Sequence, residues 1–580
     1  MSFTLPFTIK TKIVFLSLLF FTVGVFPFSW NGSLNSRLGE GDQLGVRYNY
    51  LENFLSLSAN AGSLRLQLEL AYNQPPEYGY SLIGLRQGLL TYQRNTFTVE
   101  LGNLSQVFGS GISLNLFEER NIDFNNLPVG IKLDYEQSDR VWWTALVGRK
   151  APFQFYSPSS NSRIPDAEAD YWLGAVRGIF SSRNQNLQMT PYLVVSLLSS
   201  PIQEFSVDVT SEKIVIDTLM LDVAVSTTGL STSFSRKNWD LMLDGAWTSK
   251  IFSQPHGEQY ILVTSTSQGI FTKDMISGTS GYAFYGRFNR YFDAISLMLE
   301  YKNYKLGIES ANEKTDHFHQ ATKPLPYQVG PTGLSQHDVS LLGAITHPVD
   351  YGDEVGFNLE IRWPLTFEWT VRGQVSVLSS SDDRSITAPI TDRLQGRALP
   401  TFHANYAPFQ EYLIELEYAG ENFATREIIA FTQSTLSGLT NETAQYLTVV
   451  PAYLTFRLND NWVLGLVSEL QTASIKSMDQ NEIEIGGFDF NSAHHIISAD
   501  YGSNVSVAAI WDYTNDPTQV DEAGQPLENW LSGEVSLRPT RDIQIRASYG
   551  AEKGGVRCTG GVCRVVNPFE GTRVTLEVRF

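Results

Sequence analysis

The chain has 580 residues and a formal net charge of −19, and only 18% of its residues are charged. That fraction is below the roughly 25% typical of soluble domains. A nucleic-acid-binding surface is excluded, because phosphate binding needs clustered basic residues. Length alone does not require several domains, since one large closed sheet can use the whole chain.

The N-terminus has the organisation of a secretory signal. Lys10 and Lys12 precede a largely apolar run over residues 13–25. This run is shorter than the roughly 20 residues that a membrane-spanning helix needs. We therefore predict a cleaved signal peptide over residues 1–29 and a single domain over residues 30–580.

Residues 108–128 are rich in glycine at first and acidic afterwards. In a barrel this stretch has two placements: an ordinary loop or short strand at the rim, which we favour, or a segment that folds into the lumen. Its Phe108-Gly109-Ser110-Gly111 motif predicts a bend rather than a phosphate-binding loop.

Alternation with a period of two dominates the rest of the chain. Between residues 355 and 363 every second position is apolar, with Glu360 and Arg362 on the other face, and the pattern restarts at Phe367 with Glu368 and Arg372. Two strands of about ten residues, apolar on one face and charged on the other, are typical of a transmembrane hairpin. A soluble β-sandwich is disfavoured because its dry core would reject these charges.

The alternating segments together predict an all-β fold, a large antiparallel transmembrane β-barrel of about 24 strands, an even number. Closure is expected because lipid cannot satisfy an open sheet edge. Long polar connections occur near residues 150–170, 311–337, 378–408 and 513–527. We place them outside the cell, since such barrels have short turns on the periplasmic side.

Charged side chains on the expected lumen face are candidate functional residues. They either form ladders that stiffen the wall or line an aqueous path, and the sequence leaves both interpretations open. The candidates are Glu360, Arg362, Glu368, Arg372, Glu534, Arg546, Arg573, Glu577 and Arg579.

An enzymatic site is the weakest hypothesis. His494, with His495 beside it and Ser498 nearby, suggests the His and Ser of an outer-membrane lipase, but no Asn or acid partner is apparent at strand spacing. The chain has two Cys, whereas a structural zinc site takes four ligands. We predict no catalytic residue, no metal and no cofactor.

The C-terminus carries two devices. In the last strand Val574, Leu576, Val578 and Phe580 form one apolar face that ends in an aromatic residue, and we interpret it as a signal for the barrel assembly machinery. Before it, a two-residue Gly560-Gly561 turn would make Cys558 and Cys563 a non-hydrogen-bonded cross-strand pair. We predict a disulfide there, at a hairpin tip outside the cell.

Three blocks resemble an uncharacterised family of Gram-negative outer-membrane β-barrels. The blocks are Leu101-Gly102-Asn103 with Phe108-Gly109-Ser110-Gly111; Glu300-Tyr301-Lys302-Asn303-Tyr304 with Pro326-Tyr327, Gly330-Pro331-Thr332 and Asp353-Glu354-Val355-Gly356-Phe357; and the tail Lys553-Gly554-Gly555-Val556-Arg557-Cys558 to Cys563-Arg564. The resemblance implies a membrane barrel and brings no substrate, catalytic residue or cofactor with it.

The sequence thus predicts a protein of the Gram-negative outer membrane. Its expected partners are membrane lipid, the barrel assembly machinery, and small solutes or a surface partner. The leading hypothesis is a porin-like channel or transporter for small solutes. The alternatives are a structural or partner-binding barrel and, more weakly, a lipase.

Overall fold

The structure is a computed structural model. It describes residues 28–43, 46–77, 79, 81–120, 124–155, 167–208, 213–263, 268–306, 325–334, 337, 339–343, 352–381, 396–437, 442–478, 484–520, 524, 528–559, 562–566 and 568–580.

Within these residues, twenty-four strands form one antiparallel sheet. The first twelve are β1 (Phe28–Gln43), β2 (Val46–Ala61), β3 (Leu64–Asn73), β4 (Leu82–Arg94), β5 (Phe97–Asn103), β10 (Val129–Ser138), β11 (Val141–Phe155), β12 (Ala167–Ser181), β13 (Leu187–Asp208), β14 (Lys213–Arg236), β15 (Trp239–Val263) and β16 (Gln268–Tyr291). The others are β17 (Ser296–Lys305), β18 (Glu354–Pro364), β19 (Trp369–Ser379), β20 (Phe409–Ala419), β21 (Phe423–Ser437), β22 (Glu442–Arg457), β23 (Trp462–Met478), β24 (Glu484–Tyr501), β25 (Val505–Thr514), β26 (Asn529–Thr540), β27 (Ile543–Glu552) and β30 (Phe569–Arg579).

The remaining elements are short and lie outside the main sheet. They are β6 (Gln106–Phe108), β7 (Leu114–Leu116), β8 (Glu118–Glu119), β9 (Phe124–Asn125), β28 (Gly555–Thr559), β29 (Val562–Val566), a one-turn helix α1 (Ser340–Gly343) and a 3-10 turn (Ala404–Tyr406). In the ranges that the structure describes, no helix is long and apolar enough to cross a membrane.

The sheet closes on itself between its first and last strands. β1 pairs with β2 on one side and with β30 on the other, and the Gly32 and Phe580 backbones exchange N–H···O bonds of 2.8 and 2.9 Å. The predicted fold and strand number are confirmed. Closure removes both sheet edges, as a lipid environment demands.

Side chains alternate between a lipid face and a lumen face. On the outer face large apolar residues such as Ile414, Ile497 and Leu531 are exposed, whereas their sequence neighbours point into the barrel. A closed barrel with an even strand number and an apolar outer belt is the architecture of a Gram-negative outer-membrane protein, so the predicted localisation holds.

One predicted strand start is wrong. Residues 365–368 form the turn between β18 and β19, so Phe367 and Glu368 precede the strand. The Thr366 hydroxyl accepts hydrogen bonds from the backbone N–H groups of Glu368 and Trp369, at 3.2 and 3.1 Å. Such a Ser/Thr turn competes with strand pairing and sets the start of β19.

The cysteine hairpin has the predicted register. β28 pairs with β29 so that Thr559 lies opposite Val562 and Cys558 opposite Cys563. The turn residues 560–561 and the cysteine side chains are outside the described part of the chain, so the disulfide stays a prediction. The hairpin lies beside α1, which places it next to the lumen contents.

The N-terminal boundary also stays a prediction. Strand β1 starts at Phe28, two residues inside the predicted signal peptide, and the rest of that segment precedes the described residues.

Candidate functional site

The connection between β5 and β10 folds into the barrel. This first inner segment, residues 104–128, buries Phe108, Ile112, Leu114 and Leu116 against lumen-facing side chains of β11–β16. The favoured rim placement is therefore wrong. Burial of these four apolar side chains supplies the driving force for the inward fold.

A buried carboxylate holds the bend of the first inner segment. Asp244 on β15 accepts hydrogen bonds from the Ser110 N–H, the Ser110 hydroxyl and the Tyr192 hydroxyl, each at 2.7 Å. Gly109 and Gly111 have φ of +55° and +94°, and a Cβ on Gly109 would clash with the Asp244 carboxylate. The predicted bend is present, and it needs glycine.

A second inner segment, residues 325–343 as far as they are described (325–334, 337 and 339–343), comes from the connection between β17 and β18. The Tyr327 hydroxyl bonds to Ser196 on β13, and the Gln328 amide donates to the hydroxyls of Thr227 and Thr248 at 3.4 and 3.3 Å. Burial raises the pKa of the Tyr327 phenol. The prediction of an external loop over 311–337 is wrong for its described part, since residues 325–334 and 337 lie in the lumen.

The two segments bond to each other. The Asn115 N–H donates to the Tyr327 carbonyl at 2.7 Å, and the Asn126 amide donates to the Pro326 carbonyl at 2.9 Å. We call the two segments together the inner layer. Phe108-Gly109-Ser110-Gly111, Pro326-Tyr327 and Gly330-Pro331-Thr332, three of the motifs that carried the family resemblance, lie in this layer.

The second inner segment continues along the wall to β23. Its His337 Nε2 lies 3.0 Å from Glu411 Oε1 on β20. Glu469 on β23 accepts the N–H groups of Ser340 and Leu341 at 3.1 and 2.8 Å, which satisfies the start of α1. The inner layer therefore contacts the lumen side of strands between β11 and β23.

The wall behind the first inner segment also carries many apolar side chains on its lumen face, among polar ones such as Asp244, Thr227 and Thr248. We call the lumen face of β11–β16 the covered wall. Its buried apolar side chains are Leu146, Tyr171, Leu173, Ala175, Tyr192, Val194, Leu198, Val223, Val225, Ala246, Phe252, Ala283 and Tyr285.

Other parts of the lumen wall are polar. We call the lumen faces of β26, β27 and β30, and the periplasmic ends of β18–β21, the polar wall. Arg372 donates to Glu360 at 2.9 Å and lies 3.6 Å from Glu415, which also accepts from Arg426 at 3.0 Å. The result is a ladder of ion pairs across four strands.

Three members of this ladder were missed in the sequence. Glu415, Glu417 and Arg426 lie on β20 and β21, and Glu417 lies 3.8 Å from Arg362. The alternation over residues 412–418 carries the signal for the two glutamates. Glu368 does not join the ladder, because it lies in the exposed turn before β19.

The C-terminal candidates form a second group. Glu534 lies 3.4 Å from Arg546 on the adjacent strand. Arg573 forms an ion pair with Glu552 and lies 3.4 Å from Glu77. Glu577 and Arg579 line a groove of about 300 Å³ at the periplasmic mouth.

A larger cavity of about 760 Å³ lies beside the first inner segment, against β1–β4. Its lining combines apolar side chains with neutral hydrogen-bonding groups, and Glu69 is held there by Arg86 at 2.6 Å and by Arg120. The neutral lining side chains are Asn31, Ser33, Ser56, Ser58, Gln67, Gln87, Asn103 and Ser105.

The lipase hypothesis gains an acid partner but lacks convergence. His494 Nδ1 lies 2.7 Å from Asp512 on β25, so the expectation of no acid at strand spacing is wrong. The two residues are register partners, a relation that the sequence does not display. Ser498 is four residues along the strand from His494, about 13 Å away, beyond hydrogen-bond reach.

Among the described residues no three His, Cys, Asp or Glu side chains are placed to hold a metal ion.

Comparison with known proteins gives one family match. The model of the Family of unknown function (DUF6029) matches residues 43–580. No curated protein matches the chain significantly.

Several solved barrels align with most of the chain. The copper transporter OprC is 8% identical, with 95% of this chain and 80% of that chain covered and a TM-score of 0.45. A mutant ferric enterobactin receptor from Pseudomonas aeruginosa is 9% identical, with 95% and 80% covered and a TM-score of 0.45. The outer membrane transporter YddB from Escherichia coli is 9% identical, with 95% and 81% covered and a TM-score of 0.41.

Proposed function

This chain belongs to the Family of unknown function (DUF6029), and we propose that its barrel conducts small polar solutes along the polar wall. The first inner segment occupies the part of the lumen beside the covered wall. The proposed path is thus a partly occluded channel rather than a wide porin.

One observation carries the proposal. Glu534 and Arg546 point into the lumen near mid-height, yet their side chains are 36% and 55% exposed. Charged side chains with that exposure face water. Lumen-facing Leu173 and Val194 on the covered wall, by contrast, are fully buried.

The ion-pair ladder suits a selective lining. Arg372 and Arg426 both contact Glu415, so three charged groups are held in fixed positions on the wall. Mixed charges at short range favour polar solutes with both donors and acceptors over bare ions of one sign.

Single-channel recording in planar bilayers tests the proposal. We expect discrete conductance steps from the folded protein, identified by its different gel migration before and after boiling. Glu534→Gln should make the channel more selective for anions, which is measured as a shift of the reversal potential in a salt gradient. Glu368→Gln is the matched control, because that carboxylate lies in a turn outside the lumen. Absence of conductance at every voltage would reject the channel.

A partner-binding role is the second candidate, and one feature favours it. Strands β13–β16 are 22 to 25 residues long, whereas a spanning strand needs about ten. Their outer ends therefore project well beyond the membrane. Shortening the β13–β14 and β15–β16 hairpins should abolish surface binding of a partner while leaving conductance intact.

A further inference from the structure

The described residues 396–408 of the connection between β19 and β20 fold against the outside of the barrel. We call residues 396–408 the lateral loop. The Tyr301 hydroxyl on β17 donates to the Ala398 carbonyl at 2.6 Å, and the Thr401 N–H donates to the Ser379 hydroxyl at 3.1 Å. The Ser380 N–H donates to the Tyr406 carbonyl at 2.8 Å. The loop is therefore anchored to β17 and to the end of β19.

The burial of outward-facing side chains shows which side the loop covers. Ile361 and Trp363 point outward from β18 and are exposed, so Val355 on the same strand also points outward. Val355 is nevertheless buried. Val377 on β19, which pairs with the outward-facing Phe357 of β18, is buried as well. The lateral loop packs over the lipid face near the outer ends of these strands.

The lateral loop lies at a height on the barrel that matches the outer edge of the bilayer. From Trp363 at the periplasmic end to Val355 the strand rises about 26 Å along its axis, or about 20 Å in height at the usual tilt of barrel strands. The apolar band of such barrels is about 25 Å tall. The lateral loop therefore lies at the outer membrane interface.

The exposed side of the loop combines apolar and cationic groups. Leu399 is 68% and Phe402 is 62% exposed. Arg397, two residues before Leu399, is exposed too, and its guanidinium lies 4.7 Å from the centre of the Tyr406 ring. An apolar pair next to a cation suits a lipid interface, where acyl chains and phosphates lie side by side.

We propose that the lateral loop is a lipid-binding device. Leu399 and Phe402 insert among the acyl chains of the outer leaflet, and Arg397 pairs with a lipid phosphate. Lipid is favoured over a protein partner because the loop is continuous with the exposed apolar belt, which includes Leu299 on β17 and Ile414 on β20. The inference does not depend on solute conduction.

Spin-label accessibility tests the proposal. Phe402→Cys, in protein carrying Cys558→Ser and Cys563→Ser, is labelled with a nitroxide in vesicles of phosphatidylcholine and phosphatidylglycerol. We expect the nitroxide at position 402 to collide more often with oxygen, which partitions into the bilayer, than with a water-soluble nickel chelate. The lipid-facing control Ile414→Cys should give the same result. Val520→Cys, an exposed apolar position in the external β25–β26 loop, should show the reverse.

Two results would overturn the proposal. A label at position 402 that behaves like the one at position 520 would place the loop in water, and protection from both reagents would indicate a protein cover. Photolabelling of the unmodified protein with a lipid-partitioning diazirine gives an independent readout. Label absent from residues 396–408, but present on β20, would equally reject lipid insertion.

Discussion

The covered wall and the polar wall belong to one sheet and differ in what lies on their lumen side. On β13 the inward residues Tyr192, Val194 and Leu198 are buried beside Thr190 and Ser196, so the lumen face of the strand is largely apolar as well. On β18 the inward residues include Asn358 and Glu360. A strand that is apolar on both faces needs a cover on both, and here lipid supplies one and the inner layer the other. The polarity of the inward side chains thus indicates which part of the barrel interior is packed.

The largest expected effect comes from removing the centre of the covered side. Phe108→Ala deletes a fully buried ring next to Tyr192 and should lower the free energy of unfolding by about 3–5 kcal/mol. Denaturant titration of the folded barrel measures it. Phe367→Ala, at an exposed turn position, should leave the midpoint unchanged, and equal losses in the two variants would contradict the packed inner layer.

A smaller effect should follow from removing the anchor of the first inner segment. Asp244→Ala leaves two Ser110 donors and the Tyr192 hydroxyl without their acceptor, which should lower the opening free energy of that segment by about 3 kcal/mol. Hydrogen exchange should then speed up over residues 104–128 while the barrel strands stay protected. Asp240→Ala, near the periplasmic strand ends, is the control. Unchanged exchange over 104–128 would show that Asp244 does not hold the segment.

On the polar wall, Glu415→Gln should cost about 2 kcal/mol of stability, because the Glu415 carboxylate is largely buried and its ion pairs with Arg372 and Arg426 are lost. It should also change the ion selectivity, since the negative charge between the two guanidinium groups is removed. Reversal potentials measure this. A stability loss as large as that of Phe108→Ala would mean that the polar wall is packed like the covered one.

The smallest stability change is expected for Glu534→Gln, within about 0.5 kcal/mol of the parent, because the pair with Arg546 is well exposed. Thermal unfolding should not distinguish the two proteins. A clear drop in thermal stability would indicate that this part of the lumen is dry.

The barrel could be predicted from local patterns, because the alternation that marks a strand, as over residues 355–363, depends only on residues adjacent in sequence. The cysteine register was predictable for the same reason. The inner layer was not, because Ser110 meets Asp244, and Asn126 meets Pro326, over separations of 134 and 200 residues. His494 and Asp512 illustrate the same limit, since their contact depends on the register between two strands. Glu368 was misplaced because Thr366 forms a turn that alternation does not reveal.

The bonds between the two inner segments also constrain the order of folding. Asn126 reaches Pro326 only when the strands on either side of both segments are in place, and β1 closes against β30 at the two ends of the chain. Contacts of such long sequence separation form late and slowly. We therefore expect the inner layer to dock in one late kinetic phase, close in time to the pairing of β1 with β30. A barrel that is not yet closed and has no packed inner layer should then accumulate transiently during refolding.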